Sequence, residues 1–262
     1  MILSLLFPLP VRFSEVVMIY TKEEFSKRLA ELAGSSGLSE LCASHEDKLY
    51  TICTQLDLKS KQFNLTAITE PEEVLKKHII DCVFAAKTVK ALSKGKGTLL
   101  DVGSGAGFPS LPIAAVLPEV SVTAMDATAK KTVYMNETAA LAGIGNFNAV
   151  NARAEEAARG KMGEAFDIVS ARAVARLNVL LELCVPFLKV GGYFVSMKGA
   201  AADEEMKEAA AATKKLGAVF VEKVQYSLPA LCDERYLLVY KKVEKTPDIY
   251  PRNFSQISKK PL

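Results

Sequence analysis

The run "TLLDVGSGAGFPSLPIAAVLPEVSVTAMD", residues 98–126, constrains the fold more than any other part of the chain. Two apolar stretches of strand length, 98–102 and 120–125, flank a turn with Gly103, Gly105 and Gly107 and then an apolar stretch of helix length. Strands joined by one helix run parallel, because a crossover of that length returns the chain in its original direction. The texture continues, with apolar runs at 147–150, 166–170 and 190–197 alternating with helical stretches. That alternation predicts an open, mostly parallel α/β sheet. Two last runs, "GAVFVEKVQYSL" and "ERYLLVYKK", have no strong helix between them and predict a hairpin at the sheet edge.

The residues ahead of the sheet read as helical. "YTKEEFSKRLAELAG" opens with Thr21 and Glu24 at capping-box spacing and stops at Gly34. A second helix is predicted from about Ser39 to Leu56. A third starts with Pro71 in its first turn and carries Val74, Leu75, Ile79 and Val83 at helical spacing. The opening "MILSLLFPLPVRFSEVVM" has no basic residue ahead of its apolar run and is too short to span a bilayer. Residues 1–17 therefore read as an upstream extension, 18–95 as a helical region, 96–243 as the α/β unit and 244–262 as a basic tail.

Charge is unevenly placed. From Lys241 to Leu262 six basic residues stand against Glu244 and Asp248, although the whole chain carries only +3. A basic tail suits a phosphate-bearing partner or a solvated terminus. Five scattered cysteines with no C-x-x-C pair read as small core residues in a reducing compartment. Two histidines leave no basis for a zinc site. These features predict a soluble cytoplasmic protein with no metal and no membrane span.

Glycine at 103, 105 and 107 lets the backbone turn tightly and approach a ligand at the start of the following helix. A dinucleotide fingerprint would need a third glycine where Phe108 stands. Asp126 ends the next strand, 23 residues after Gly103, where a carboxylate can accept hydrogen bonds from both ribose hydroxyls. Asp101 just precedes the glycines and is placed to hold an ammonium group, directly or through water. An amine-bearing nucleoside without phosphates fits this order, which describes S-adenosyl-L-methionine; a glycine turn with two capping aspartates is the plainer alternative.

The acceptor is narrowed by absences. The chain has no Pro-Pro loop of the kind used on exocyclic base amines, and the region after the candidate fourth strand, "SARAVARL", has no cysteine nucleophile. A ring nitrogen such as guanine N7 offers a free lone pair, so in-line placement suffices and no catalytic residue is required. Arg172 then suits a phosphate or the guanine O6 acceptor.

"FNLTAI", "KKHIIDC", "LLDVGSGAGFPSLPIA", "NARAEEAA", "DIVSARAVARL", "GGYFVSMKG" and "TPDIYPR…KKPL" together resemble the RsmG family, also called glucose-inhibited division protein B. The resemblance runs from about residue 20 to the end. It implies a Rossmann-like class I S-adenosylmethionine-dependent methyltransferase sheet with an N-terminal helical extension. It also implies methylation of N7 of a guanine in the decoding-region hairpin of 16S ribosomal RNA, with a monomeric enzyme acting on naked RNA or on a small-subunit particle. Cofactor contacts are implied at Gly103, Phe108, Ala154, Glu155 and Arg172, with adenine near a backbone group of Ala154. Asn64, His78, Lys198 and Arg252 match positions expected to face RNA. His78 equally suits a packing role, and Asn64 could cap the next helix. The sequence departs from the usual family pattern at Lys77, at Cys82 and in "NFSQIS", which replaces a commoner proline- and glycine-containing stretch. A small-molecule methyltransferase would share the glycine loop but has no evident use for the basic tail. A non-catalytic RNA-binding protein would have no need of intact acids and glycines.

Overall fold

The computed structural model describes residues 20–63, 65–229 and 233–262, with no account of the side chains of 61–63. The upstream extension, Asn64 and Cys232 lie outside the described residues. Thr21 and Glu24 form the expected capping box at the start of α1 (Lys22–Ser35), each side chain accepting from the other's backbone N–H at 3.2 and 2.8 Å. The single helix expected from Ser39 is two. The ring Nδ1 of His45 bonds the Leu41 carbonyl at 3.0 Å, closing α2 (Ser39–Ala43), and α3 (Glu46–Phe63) restarts with Glu46 and Asp47 in its first turn. The third helix is also interrupted. After α4 (Pro71–Val74), residues Leu75–Ile80 form a wide π-helical turn before α5 (Asp81–Ser93).

The α/β part follows as β1 (Gly97–Val102), α6 (Ser110–Val116), β2 (Val120–Asp126), α7 (Ala129–Leu141), β3 (Phe147–Asn151), α8 (Ala154–Ala157), β4 (Phe166–Arg172) and α9 (Leu177–Cys184). It ends with β5 (Leu188–Lys198), α10 (Ala202–Glu208), α11 (Ala210–Lys215), β6 (Ala218–Ser227), β7 (Glu234–Lys242) and α12 (Phe254–Lys259). The seven strands lie in the order β3-β2-β1-β4-β5-β7-β6. The first five are parallel, and the predicted hairpin supplies the antiparallel edge, with β7 against β5.

Strand periodicity sorts the core into two layers. Leu99, Ile168, Val195 and Leu237 pack with the N-terminal helices and with α6 and α7 on one face. Their neighbours Leu100, Val169, Phe194 and Leu238 pack with α9 and with Ile257 of α12 on the other. Each buried side chain of this kind stabilises the fold by about 1.5–3 kcal/mol. The helical region thus shares a core with the sheet rather than standing apart from it. Strand order reverses between β1 and β4, so the chain leaves these strands in opposite directions and opens a crevice at their carboxyl ends. The glycine turn lies on one side of that crevice and Arg172 on the other.

Candidate cofactor and nucleic-acid site

The glycine turn is held by its own backbone. Gly103 and Ser104 donate to the Met125 carbonyl at 2.9 and 3.0 Å, tying the turn to the end of β2. Asp126 receives the Gly105 N–H on Oδ2 at 3.0 Å and the Thr128 N–H on Oδ1 at 2.8 Å. All three glycines have positive φ, but their missing side chains serve different ends. A Cβ on Gly105 would meet nothing within 4 Å, whereas one on Gly107 would lie 2.4 Å from Leu111 Cδ1. Gly107 is therefore needed for packing, and Gly105 leaves open space in front of the backbone.

Asp101 sits beneath this turn rather than in it. It is fully buried, and its carboxylate accepts hydrogen bonds from Ser104 and, at 2.8 Å, from Ser170 on the neighbouring strand. Burial raises its pKa above the ordinary value, with the serine hydroxyls opposing the shift. Its side chain braces the loop, and neither oxygen is left without a partner.

A cavity of about 200 Å³ opens beside the turn, lined by Gly103, Asp126, Ala154 and Glu155 together with Val174, Leu183 and Phe254. Four of the expected cofactor residues therefore meet in one place. Phe108 and Arg172 are not among the lining residues. The Phe108 ring stacks on His78 at 4.6 Å, and the Arg172 guanidinium lies 5.6 Å from the centre of the same ring. Arg172 also donates to the Lys77 carbonyl at 2.7 Å, to Asp81 at 3.2 Å and to His78 Nδ1 at 3.1 Å. Arginine has no acceptor, so Nδ1 of His78 must be the unprotonated nitrogen, and Nε2 donates to Thr66 Oγ1 at 3.0 Å. Burial and then the nearby Arg172 charge hold the His78 pKa down at about 3. The histidine is a neutral positioning group. The π-helical turn carries His78 and delivers Asp81 at its end, which places both against Arg172.

A second cavity, of about 380 Å³, is lined by Arg172, Arg176, Lys198 and Arg235 with Asp81, Glu205 and Tyr226. It meets the first at Val174, which lines both. Lys198, expected to face RNA, is committed inside the protein. Its Nζ lies 2.8 Å from the Ala175 carbonyl and 2.6 Å from Glu205, and Glu205 also accepts the Leu177 N–H at 2.7 Å. Lys198 thereby clamps the segment that carries Val174. That segment runs close over the turn, since a Cβ on Gly103 would lie 2.6 Å from Val174 Cγ2.

Arg252 is likewise paired. Its backbone N–H, Nε and Nη2 donate to Glu182 at 2.9, 2.8 and 2.6 Å, and Glu182 is fully buried in α9. Arg252 therefore holds the tail to the sheet's helical layer rather than facing outward to RNA. Arg235, Val174, Glu182 and Phe254 line or support these cavities without being marked by any motif. Two of them carried a signal: Glu182 is a lone acid in the apolar run "LNVLLELCVPF", and Phe254 with Ile257 is an apolar pair in a polar tail. Among the described residues no helix is long and apolar enough to cross a membrane, and no group of three or more metal-ligating side chains occurs.

The family model for rRNA small subunit methyltransferase G, GidB, matches residues 45–234. The enzyme "Ribosomal RNA small subunit methyltransferase G" of Lactobacillus johnsonii is 39% identical over 241 residues, covering 92% of this chain and 99% of that one. Its namesake from Lachnoclostridium phytofermentans is 42% identical over 220 residues, covering 83% and 90%. Among solved structures, the Pyrococcus horikoshii protein PH0793 superposes with a TM-score of 0.50 at 16% identity, over 63% of this chain and 64% of that one. The fold is the Rossmann-like class I methyltransferase sheet with an added helical N-terminal region.

Proposed function

This chain belongs to the rRNA small subunit methyltransferase G family, and from that membership we propose that it methylates N7 of a guanine in the decoding-region hairpin of 16S ribosomal RNA, with S-adenosylmethionine as cofactor. The observation that carries the reading is the pair of cavities at the β1/β4 crevice. One offers glycine backbone and a carboxylate, the other is basic, and they share Val174.

The residues present suit the cofactor. Each Asp126 oxygen accepts one backbone N–H and keeps a second lone-pair direction, which matches two adjacent ribose hydroxyls. The open space at Gly105 admits a ligand close to the backbone. Ala154 and Glu155, after β3, would border the adenine. When bound, the cofactor supplies an electrophilic methyl group on a sulfonium centre.

On the other side, three of the five N–H groups of Arg172 are used within the protein. The remaining donors suit guanine O6 or a backbone phosphate, as arginine does in nucleic-acid readout. His78 is neutral with Nε2 occupied by Thr66, so it orients Arg172 and takes no proton. Guanine N7 needs none removed, and placement of the base is the chain's main contribution. The reaction belongs in the cytoplasm, where the small subunit is assembled.

Small-subunit RNA from cells lacking this protein should lose one 7-methylguanosine in the decoding-region hairpin. Purified protein with S-adenosylmethionine should restore it. An unchanged 7-methylguanosine pattern in the deletion strain would overturn the assignment.

A further inference from the structure

One residue of the basic tail lies beside the glycine turn. Phe254, the first residue of α12, lines the same cavity as Asp126, Ala154 and Glu155. The residue is 46% exposed, so part of its apolar surface is free to meet a ligand in that cavity. The segment around it is firmly held. Arg252, two residues earlier, is bonded three times to buried Glu182, and Ile257, three residues later, is fully buried. Asn253 caps the helix by accepting the Gln256 N–H at 3.0 Å. Leu183, next to Glu182, forms another part of the cavity wall, so the ion pair and the aromatic ring are parts of one junction. A side chain with both flanks anchored and its face left open to a cavity is preorganised for a flat apolar ligand.

We infer that the carboxyl-terminal segment is a wall of the cofactor pocket, with the Phe254 ring packing on the adenine of S-adenosylmethionine. The inference rests on the cofactor reading above. Adenine is the flat apolar part of that cofactor, and the cavity places Phe254 with Ala154 and Glu155 after β3. Aromatic packing on a base is sequence-tolerant and persists without hydrogen bonds, because it uses only the π-face. Phe254 carries no charge, so it should leave phosphate binding untouched.

The test is calorimetric titration of the full-length protein with S-adenosylmethionine and, separately, with adenosine. Phe254→Ala should weaken both by a similar factor, about five- to a hundred-fold. Phe254→Tyr should stay close to wild type, because the ring is kept. The melting temperature without ligand should hardly change, since the side chain is half exposed. The salt slope of binding to a small-subunit RNA hairpin should also stay as it was. Affinity for S-adenosylmethionine within twofold of wild type in folded Phe254→Ala would overturn the inference, as would an equal loss in Phe254→Tyr. Wild-type protein unable to bind S-adenosylmethionine would instead bring down the cofactor reading itself, and this inference with it.

Discussion

Arg252→Ala should destabilise the whole protein rather than weaken its grip on RNA. The substitution leaves the Glu182 carboxylate without the two guanidinium donors that Arg252 supplies, and Glu182 has no exposed surface through which water could replace them. The backbone N–H survives the substitution, but the two charged contacts do not. Breaking a buried pair by removing one partner costs about 3–5 kcal/mol, because the remaining charge is stranded. For a domain of this size that corresponds to a fall of about 6–20 °C in melting temperature. The assay is urea unfolding followed by far-ultraviolet circular dichroism, with thermal melts alongside. Arg252→Met combined with Glu182→Gln should recover more than half of the loss, since no ion is then buried. The RNA-binding salt slope of the folded protein should stay unchanged. A loss of stability under about 1 kcal/mol, together with a slope flattened by about 0.7, would mean that Arg252 neutralises a phosphate and that the pairing reasoning is wrong.

Asp126→Ala should weaken S-adenosylmethionine binding by about 1.5–3 kcal/mol, roughly ten- to more than a hundred-fold, and calorimetry showing less than threefold would remove it as the ribose ligand. Lys198→Met should lower the single-turnover methylation rate by about ten- to a hundred-fold through loss of the clamp on Ala175 and Glu205, with the RNA salt slope unchanged. A flattened slope with a normal rate would make Lys198 a phosphate contact instead. His78 has its pKa lowered from 6.5 to about 3, so the fold favours the neutral ring. Its contribution is complete above about pH 6.5 and is lost as pH falls toward 3, where the unfolded chain binds the proton more readily. Unfolding measured from pH 7 to pH 4 should therefore steepen less in His78→Asn than in wild type; parallel curves would contradict the buried neutral imidazole.

Local patterns carried the parts of this molecule that depend on near neighbours in the chain. The α1 capping box is set by residues three apart. The glycine turn, the strand that precedes it and Asp126 depend on a single βαβ unit, whose handedness and register follow from short connections. Alternating apolar residues such as Leu99 and Leu100 divided between two faces because successive side chains on a strand point oppositely.

What only the tertiary structure decided is which charged side chains remain available to a ligand. Lys198, Arg252 and Arg172 look alike in sequence, as basic residues at loop or strand ends. Their roles depend on partners far away: Glu205 and Ala175 for Lys198, Glu182 for Arg252, and His78 and Asp81 for Arg172. Burial makes an unpaired charge costly, so packing distant helices onto the sheet selects which ions must pair inside. The same packing brings Phe254, more than a hundred residues from Asp126, to the cavity beside it. Spacing along a chain cannot encode such a meeting, because it is settled by which helix face the sheet leaves uncovered.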